Sequence, residues 1–320
     1  CMVLLLGDKE VNSVLDMHEC VNVMQDAFTQ IGKGETWNRP RSRIRMPRGF
    51  HHLMAASALG SSSFGLKTYT SFRAGIRFLT ILYDSNTGDL QALIQGSRCS
   101  QIRTGAVSAI ATKYMSRNDS TRVGIIGAGY QARAQLEGVC AVRPINEIKV
   151  YDQSLETSQK FSSEMASWLD RGISVVDTAQ DAVSNVDIVI TMTTAREPVL
   201  FGEWLQPGMH INAAGSNHWI RREVDDDVIR RADIVVVDSI ADAQVESGDL
   251  LYPVERGIIR WDQIHELSSL VVGRVGGRDS DEQITLFESQ GIAVSDVAVA
   301  AHIYAKAKEA GLGLDLPLEN

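Results

Sequence analysis

The stretch "GAGYQA", residues 127–132, follows the apolar run "RVGII" and opens the helix-like run "QARAQLEGVCAV". Gly127, Gly129 and Ala132 fit the pattern G-x-G-x-x-A. The first glycine permits a tight turn and the second lets backbone approach a pyrophosphate. The small third residue lets helix and strand pack closely, so that Tyr130 and Gln131 begin a helix whose N-terminus faces the phosphates. The bland alternative is a strand-to-helix turn with no ligand. The next strand-like run, "EIKVYD", ends in Asp152, about twenty residues beyond the turn. A carboxylate there accepts hydrogen bonds from ribose hydroxyls and repels a 2′-phosphate, favouring NAD(H) over NADP(H). An N-cap for "DQSLE" is its competing role.

A phosphate turn needs a sheet to hold it. From about Thr121 to Val237 strand-like and helix-like segments alternate, with "ISVV", "DIVITMTT", "MHINAAG" and "ADIVVVDSI" as the later strands. Continuous apolar strands between helix-length segments predict a parallel sheet covered on both faces. The first 115 residues differ. "VNVMQDAFTQIG" has helical spacing, while "SRIRMP", "HHLMAA", "FGLKTYTSF" and "FLTILYDSNTGDLQALIQG" read as shorter strands, with a hairpin at "SNTGD". "TGAVSAIATKYM" reads as a small-residue helix leading into the glycine turn, and "VSDVAVAAHIYAKAKEAG" as an amphipathic helix ending at Gly311. The expected fold class is α/β: a dinucleotide-binding domain over 116–299, and a discontinuous α+β domain formed by 1–115 with 300–320.

With 320 residues, 44% of them hydrophobic, the chain can bury a large core. A formal charge of −9 argues against nonspecific binding to nucleic acid or to an anionic membrane. Cys1, Cys20, Cys99 and Cys140 have no metal or redox spacing. They read as reduced thiols of a cytoplasmic protein, and no metal is expected. "MVLLL" is too short for a signal or a membrane span, and Cys1, ahead of what reads as an initiator Met2, is given no function.

Several motifs in order carry a more specific pattern: "LKTYT", "TGDLQALIQGSRCSQIRTGAVSAIATKY", "VGIIGAGYQARAQ", "TMTTAREPVL", "INAAGSN...REVD" and "SDEQITLFESQGIAVSDVAVAA". On these the chain resembles the ornithine cyclodeaminase/mu-crystallin family along nearly its whole length. The resemblance implies a Rossmann domain and a first domain that binds substrate and pairs with its twin in a homodimer. It implies a small amino- or imino-acid substrate held by cations: Lys67 in "GLKTYT", Arg103 in "QIRTGA", and Arg43 by its spacing to Pro47, with Arg41 also possible. A guanidinium grips a carboxylate bidentately, and a nearby ammonium adds charge and a transferable proton. Their bland readings are an edge-strand charge for Lys67, a solvated cation opening a helix for Arg103, and loop charges for the other arginines. By resemblance Thr191, Thr193 and Thr194 lie near the dinucleotide; buried threonines satisfied by their own strand are the other view. Asp238, ending "IVVVD", is a weaker candidate at a strand end.

The chain departs from the family's cyclodeaminases at two acidic positions, which here read His52 and Asn217. Cyclodeamination needs a base and an acid, and an amide cannot exchange a proton near neutral pH. A reductase asks for less: a hydride on the right face of an imine and a clamp for its carboxylate. The expectation is therefore an NAD(H)-dependent imine reductase or amino-acid dehydrogenase, NADP(H) being disfavoured. Lys67, Arg103 and Arg43 would hold the carboxylate, and Asn217 would orient the nitrogen. Ornithine or lysine cyclodeaminase with tightly bound NAD, and a non-catalytic binding protein, are the alternatives. His52 and His218 could replace the missing acids or be structural. Trp219 could wall the pocket or pack on the helix "REVDDDVIRRA", whose charges, Glu223 to Asp227 first and Arg230 and Arg231 last, read as dipole-matched surface.

Overall fold

The computed structural model describes residues 2–317; Cys1 and residues 318–320, the end of the expected first domain, lie outside them. The chain divides into two compact units, Cys1–Arg103 with Ile292–Asn320, and Thr104–Gly291. Both borders come earlier than the expected 115/116 and 299/300. The first falls inside one helix, Arg98–Met115, where the small-residue pattern alone suggested a start at Thr104. The extra turn is fixed from far away: Ser97 N and Arg98 N donate to the carboxylate of Asp8, at 3.3 and 2.9 Å. A cap supplied from about ninety positions upstream satisfies the orphan N–H groups of a helix start without leaving a local sequence signal.

The second unit is built on an eight-stranded sheet in which every pairing is parallel. Its order is Ile173–Val175, Glu147–Tyr151, Arg122–Ile126, Ile188–Thr191, His210–Ala213, Thr285–Glu288, Ile234–Val237, Ile264–Glu266. The middle strands Ile188–Thr191, His210–Ala213 and Thr285–Glu288 are buried at every residue. That burial accounts for their unbroken apolar runs, since helices cover both faces. Two apolar clusters result, one around Val123, Leu136, Phe161 and Ile190, the other around Ile126, Leu200, Ile211 and Leu286. From Arg122–Ile126 the chain winds one way, then returns to lay Ile188–Thr191 on the other side. The crevice beyond the carboxyl ends of those two strands is a topological switch point, where sheets of this kind bind ligands. This is the Rossmann arrangement.

The first unit carries the other eight-stranded sheet, in the order Leu314–Pro317, Met2–Leu6, Leu90–Gln95, Gly75–Asp84, Ser63–Phe72, Gly49–Ala58, Thr36–Asn38, with Ser42–Met46 also on Gly49–Ala58. Its pairings are antiparallel apart from Met2–Leu6 with Leu90–Gln95. Antiparallel strands alternate their side chains between two faces. In Ser63–Phe72 the odd positions Ser63, Gly65, Lys67 and Tyr69 are buried, and helix Ala293–Glu309 packs on this sheet. Helix Met17–Lys33, capped by Asp16, packs in turn on that helix. The opposite face carries Leu53, Phe64, Leu66, Leu79 and Ile81, none of them fully buried.

Candidate active site

Pairing register gathers the cations of the first unit. Lys67 is opposite Met54 on one side and Thr80 on the other. The neighbouring row on the same face runs Arg43, His52, Tyr69, Phe78. The Lys67 ammonium is 3% exposed and lies 5.4 and 5.0 Å from the ring centres of Tyr69 and Phe78. It donates to Ser100 Oγ at 2.7 Å and to Asp296 Oδ1 at 3.1 Å. The same Asp296 oxygen accepts from Arg103 Nε at 2.9 Å. Asp296 sits in the first turn of Ala293–Glu309, where an anion suits the helix dipole.

Burial pushes the Lys67 pKa down to about 8; Asp296 opposes the fall, and Arg103 and Arg41 add to it. Two buried cations, Lys67 and Arg103, thus share one carboxylate, leaving positive charge for an anionic guest. Arg103 does not open its helix, as the sequence suggested, but lies in its second turn and is buried. The arginine whose charge bears on Lys67 is Arg41, itself buried, with Nε on Met54 Sδ at 3.3 Å. Arg43 is one row along and partly exposed. His52 stacks on Tyr69 with ring centres 4.2 Å apart, and its Nε2 is 2.9 Å from Ser71 Oγ.

The second unit holds the glycine turn. Gly127 has φ +97° and donates its N–H to Tyr151 O at 2.8 Å. A Cβ on it would come within 2.4 Å of Met192 O, so only glycine fits there. At Gly129, by contrast, a Cβ would meet nothing within 4 Å. Gly129 is the N-cap of helix Tyr130–Val142 and gives it no side-chain cap. Ala132 is fully buried, the exposed Tyr130 starts the helix, and Gln131 Oε1 is buried without a hydrogen-bond partner among the described residues. An open cradle at an uncapped helix N-terminus fits a dinucleotide pyrophosphate. Asp152 does not cap the next helix; Ser154 does. Asp152 instead accepts Ala128 N at 2.9 Å and Ser154 N at 3.0 Å, fixing the turn from the end of the neighbouring strand. Arg133, absent from the sequence reading, also holds the turn, donating to Ala128 O and Gly129 O at 3.1 and 2.9 Å.

Thr191 is fully buried and its hydroxyl donates to Glu223 at 2.9 Å. Thr193 is partly buried, and its hydroxyl accepts from Ala195 N. Asn217 lies in the loop after His210–Ala213, with Arg221 Nη1 3.5 Å from its Oδ1. In the same loop His218 Nδ1 accepts from Ile220 N and Trp219 is 54% exposed. Asp238 is buried and accepts from Ser289 Oγ, Gln290 N and Gly291 N; burial, with Asp242 adding, pushes its pKa up to about 6.

One reading is overturned. Glu223 is no surface charge of a helix's first turn: the helix is Asp226–Arg231, capped by Asp225, and Glu223 is fully buried. Sequence reasoning also missed Asp296 and Ser100. The signal for Asp296 was one carboxylate inside the small apolar run "AVSDVAVAA", a charge that must find a partner if the run is buried.

No helix among the described residues is long and apolar enough to cross a membrane. The sequence profile of the ornithine cyclodeaminase/mu-crystallin family matches residues 2–311. A Δ1-pyrroline-2-carboxylate reductase of Bacillus cereus is 39% identical over 321 residues, covering 97% of this chain and 98% of that one. The structure of Thermococcus litoralis Δ1-pyrroline-2-carboxylate reductase in complex with NADH and L-proline superimposes with a TM-score of 0.95 at 36% identity, covering 98% and 100% of the two chains. An archaeal alanine dehydrogenase dimer with bound NAD gives a TM-score of 0.94 at 30% identity, with both chains covered in full.

Proposed function

The chain belongs to the ornithine cyclodeaminase/mu-crystallin family, and from that premise we propose that it is an NADH-dependent oxidoreductase acting on the C–N bond of a small imino acid. The substrate class is a cyclic ketimine carboxylate of the Δ1-pyrroline-2-carboxylate kind. The single observation that carries this reading is the buried pair Lys67 and Arg103 on one carboxylate, Asp296, with the buried Arg41 bearing on Lys67. Two buried cations on one carboxylate leave positive charge for an anion, and a guanidinium suits a carboxylate. The flat rings of Tyr69 and Phe78 beside Lys67 suit a flat, ring-shaped imine.

Gly127, Gly129 and Asp152 would hold NADH, which when bound would supply a hydride for reduction of an imine. Asp296 holds Lys67 and Arg103 in place, and Arg103 with Arg41 binds the carboxylate. Lys67, still protonated at neutral pH, delivers a proton to the nitrogen as it becomes an amine, and regains one from solvent. The protein works as a homodimer in the cytoplasm, where Cys20, Cys99 and Cys140 stay reduced.

The test is NADH oxidation with Δ1-pyrroline-2-carboxylate, Δ1-piperideine-2-carboxylate, and pyruvate plus ammonia, with NADPH alongside. Turnover of a cyclic imine to the saturated amino acid is expected. Turnover of pyruvate and ammonia alone would move the substrate to the alanine dehydrogenase side. Ammonia release from ornithine without net NADH change would return the chain to cyclodeamination.

A further inference from the structure

Glu223 joins two loops. Its Oε2 accepts Thr191 Oγ at 2.9 Å and Gly215 N at 2.7 Å, and its Oε1 accepts Thr193 N. Thr191 ends strand Ile188–Thr191, Thr193 lies just past it, and Gly215 is in the loop after the adjacent strand His210–Ala213. The loops touch there: a Cβ on Gly215 would come within 2.4 Å of Thr193 N and 2.6 Å of Glu223 Oε1. On the other side of the same segment, a Cβ on Gly127 would come within 2.4 Å of Met192 O and 2.8 Å of Thr193 Cγ2. The layers therefore run Gly127, Met192–Thr193, Gly215, with Glu223 bonded across the last two.

The carboxylate is fully buried and is itself held, because Glu223 N and Val224 N donate to Asp249 Oδ1 at 2.8 and 2.9 Å. Two N–H groups and one hydroxyl converge on it, a donor set that suits an ionised carboxylate. Burial raises its pKa while those same donors oppose the rise.

We propose that Glu223 is a positioning residue for dinucleotide binding, setting the place of the Thr193 segment against which the Gly127 turn closes. This rests on the dinucleotide reading given above. Glu223 need not touch the cofactor. Close-packed layers transmit displacement, so a shift of Thr193 by a few tenths of an ångström displaces the turn.

NADH binding is measured on wild-type protein, Glu223→Gln and Thr191→Val, with thermal melting to establish that each is folded. Glu223→Gln puts an amide N–H₂ against a backbone N–H. A lost hydrogen bond to a charged group corresponds to roughly ten- to hundredfold, and a loss of NADH affinity of that order is expected. KM for NADH should rise by the same factor, with KM for the imine nearly unchanged. Thr191→Val removes one donor without changing shape, and should weaken NADH several-fold while Thr191→Ser restores it. The double variant should lose less than the sum, because both changes act through one carboxylate. If Glu223→Gln does not fold, the Thr191 pair decides alone. Wild-type affinity in folded Glu223→Gln, or in Thr191→Val where only that variant folds, would overturn the proposal. Wild-type protein that binds no NADH would overturn the dinucleotide reading instead.

Discussion

An ammonium kept from water binds its proton less firmly, and Lys67 shows the consequence. Burial brings its pKa from 10.5 down to about 8, with Asp296 limiting the fall. The proton is present at neutral pH and is lost as pH rises through about 8. If it is the one delivered to nitrogen, kcat/KM for the imine falls on the alkaline side of that value. A bound substrate carboxylate adds negative charge nearby and raises the Lys67 pKa, so the limb in kcat should lie at higher pH than the limb in kcat/KM. Lys67→Met should lower kcat/KM by at least about a hundredfold and remove both limbs. A Lys67→Met profile that keeps its alkaline limb would assign the proton to another group. Lys67 and Arg103 were legible as motif positions, but the choice between Arg41 and Arg43 was not. Arg43 is on strand Ser42–Met46 and Arg41 just ahead of it, and burial separates them.

At the scale of elements, the strand–turn–helix unit makes unequal demands on its two glycines. Gly127 needs a positive φ and has a carbonyl where a Cβ would go; Gly129 has an ordinary φ of −72° and open space. Gly127→Ala should therefore cost about 1–2 kcal/mol of stability from backbone strain alone, and NADH binding with it. Gly129→Ala should melt near wild type yet bind NADH at least about tenfold less tightly, because its methyl group enters the cradle rather than the protein. Melting curves and NADH fluorescence titrations separate the two, and a Gly129→Ala protein with wild-type affinity would remove the pyrophosphate from this turn. The turn could be found in the chain because its residues are contiguous. Its supports were legible only in part: Asp152 stood out as a ribose carboxylate but not as a brace for the turn, and Arg133 looks like any helix-surface cation.

For the whole molecule, the first unit's sheet has one face under helix Ala293–Glu309 and another with Leu53, Leu66, Leu79 and Ile81 incompletely covered and Phe64 37% exposed. An apolar sheet face of this kind is what the proposed self-association requires. The proposed homodimer would bury it, isologously, with two copies of the same face. Ile81→Lys should convert the dimer to monomers in sedimentation velocity with circular dichroism unchanged. A dimer that survives both this change and Leu66→Glu would place the interface elsewhere.

The sequence by itself determined the parallel sheet, the glycine turn and the family, since each is written in neighbouring residues: apolar periodicity, fixed glycine spacing, ordered motifs. It also pointed to the cations at positions 67 and 103. Only the tertiary structure decided what pairs with them, because Asp296 reaches Lys67 from 229 positions away in the chain. The same holds for Glu223, whose burial turned a reading of surface charge into a link between two loops. The physical reason is that burial and charge pairing depend on which elements meet, and a one-dimensional pattern records only what each element is.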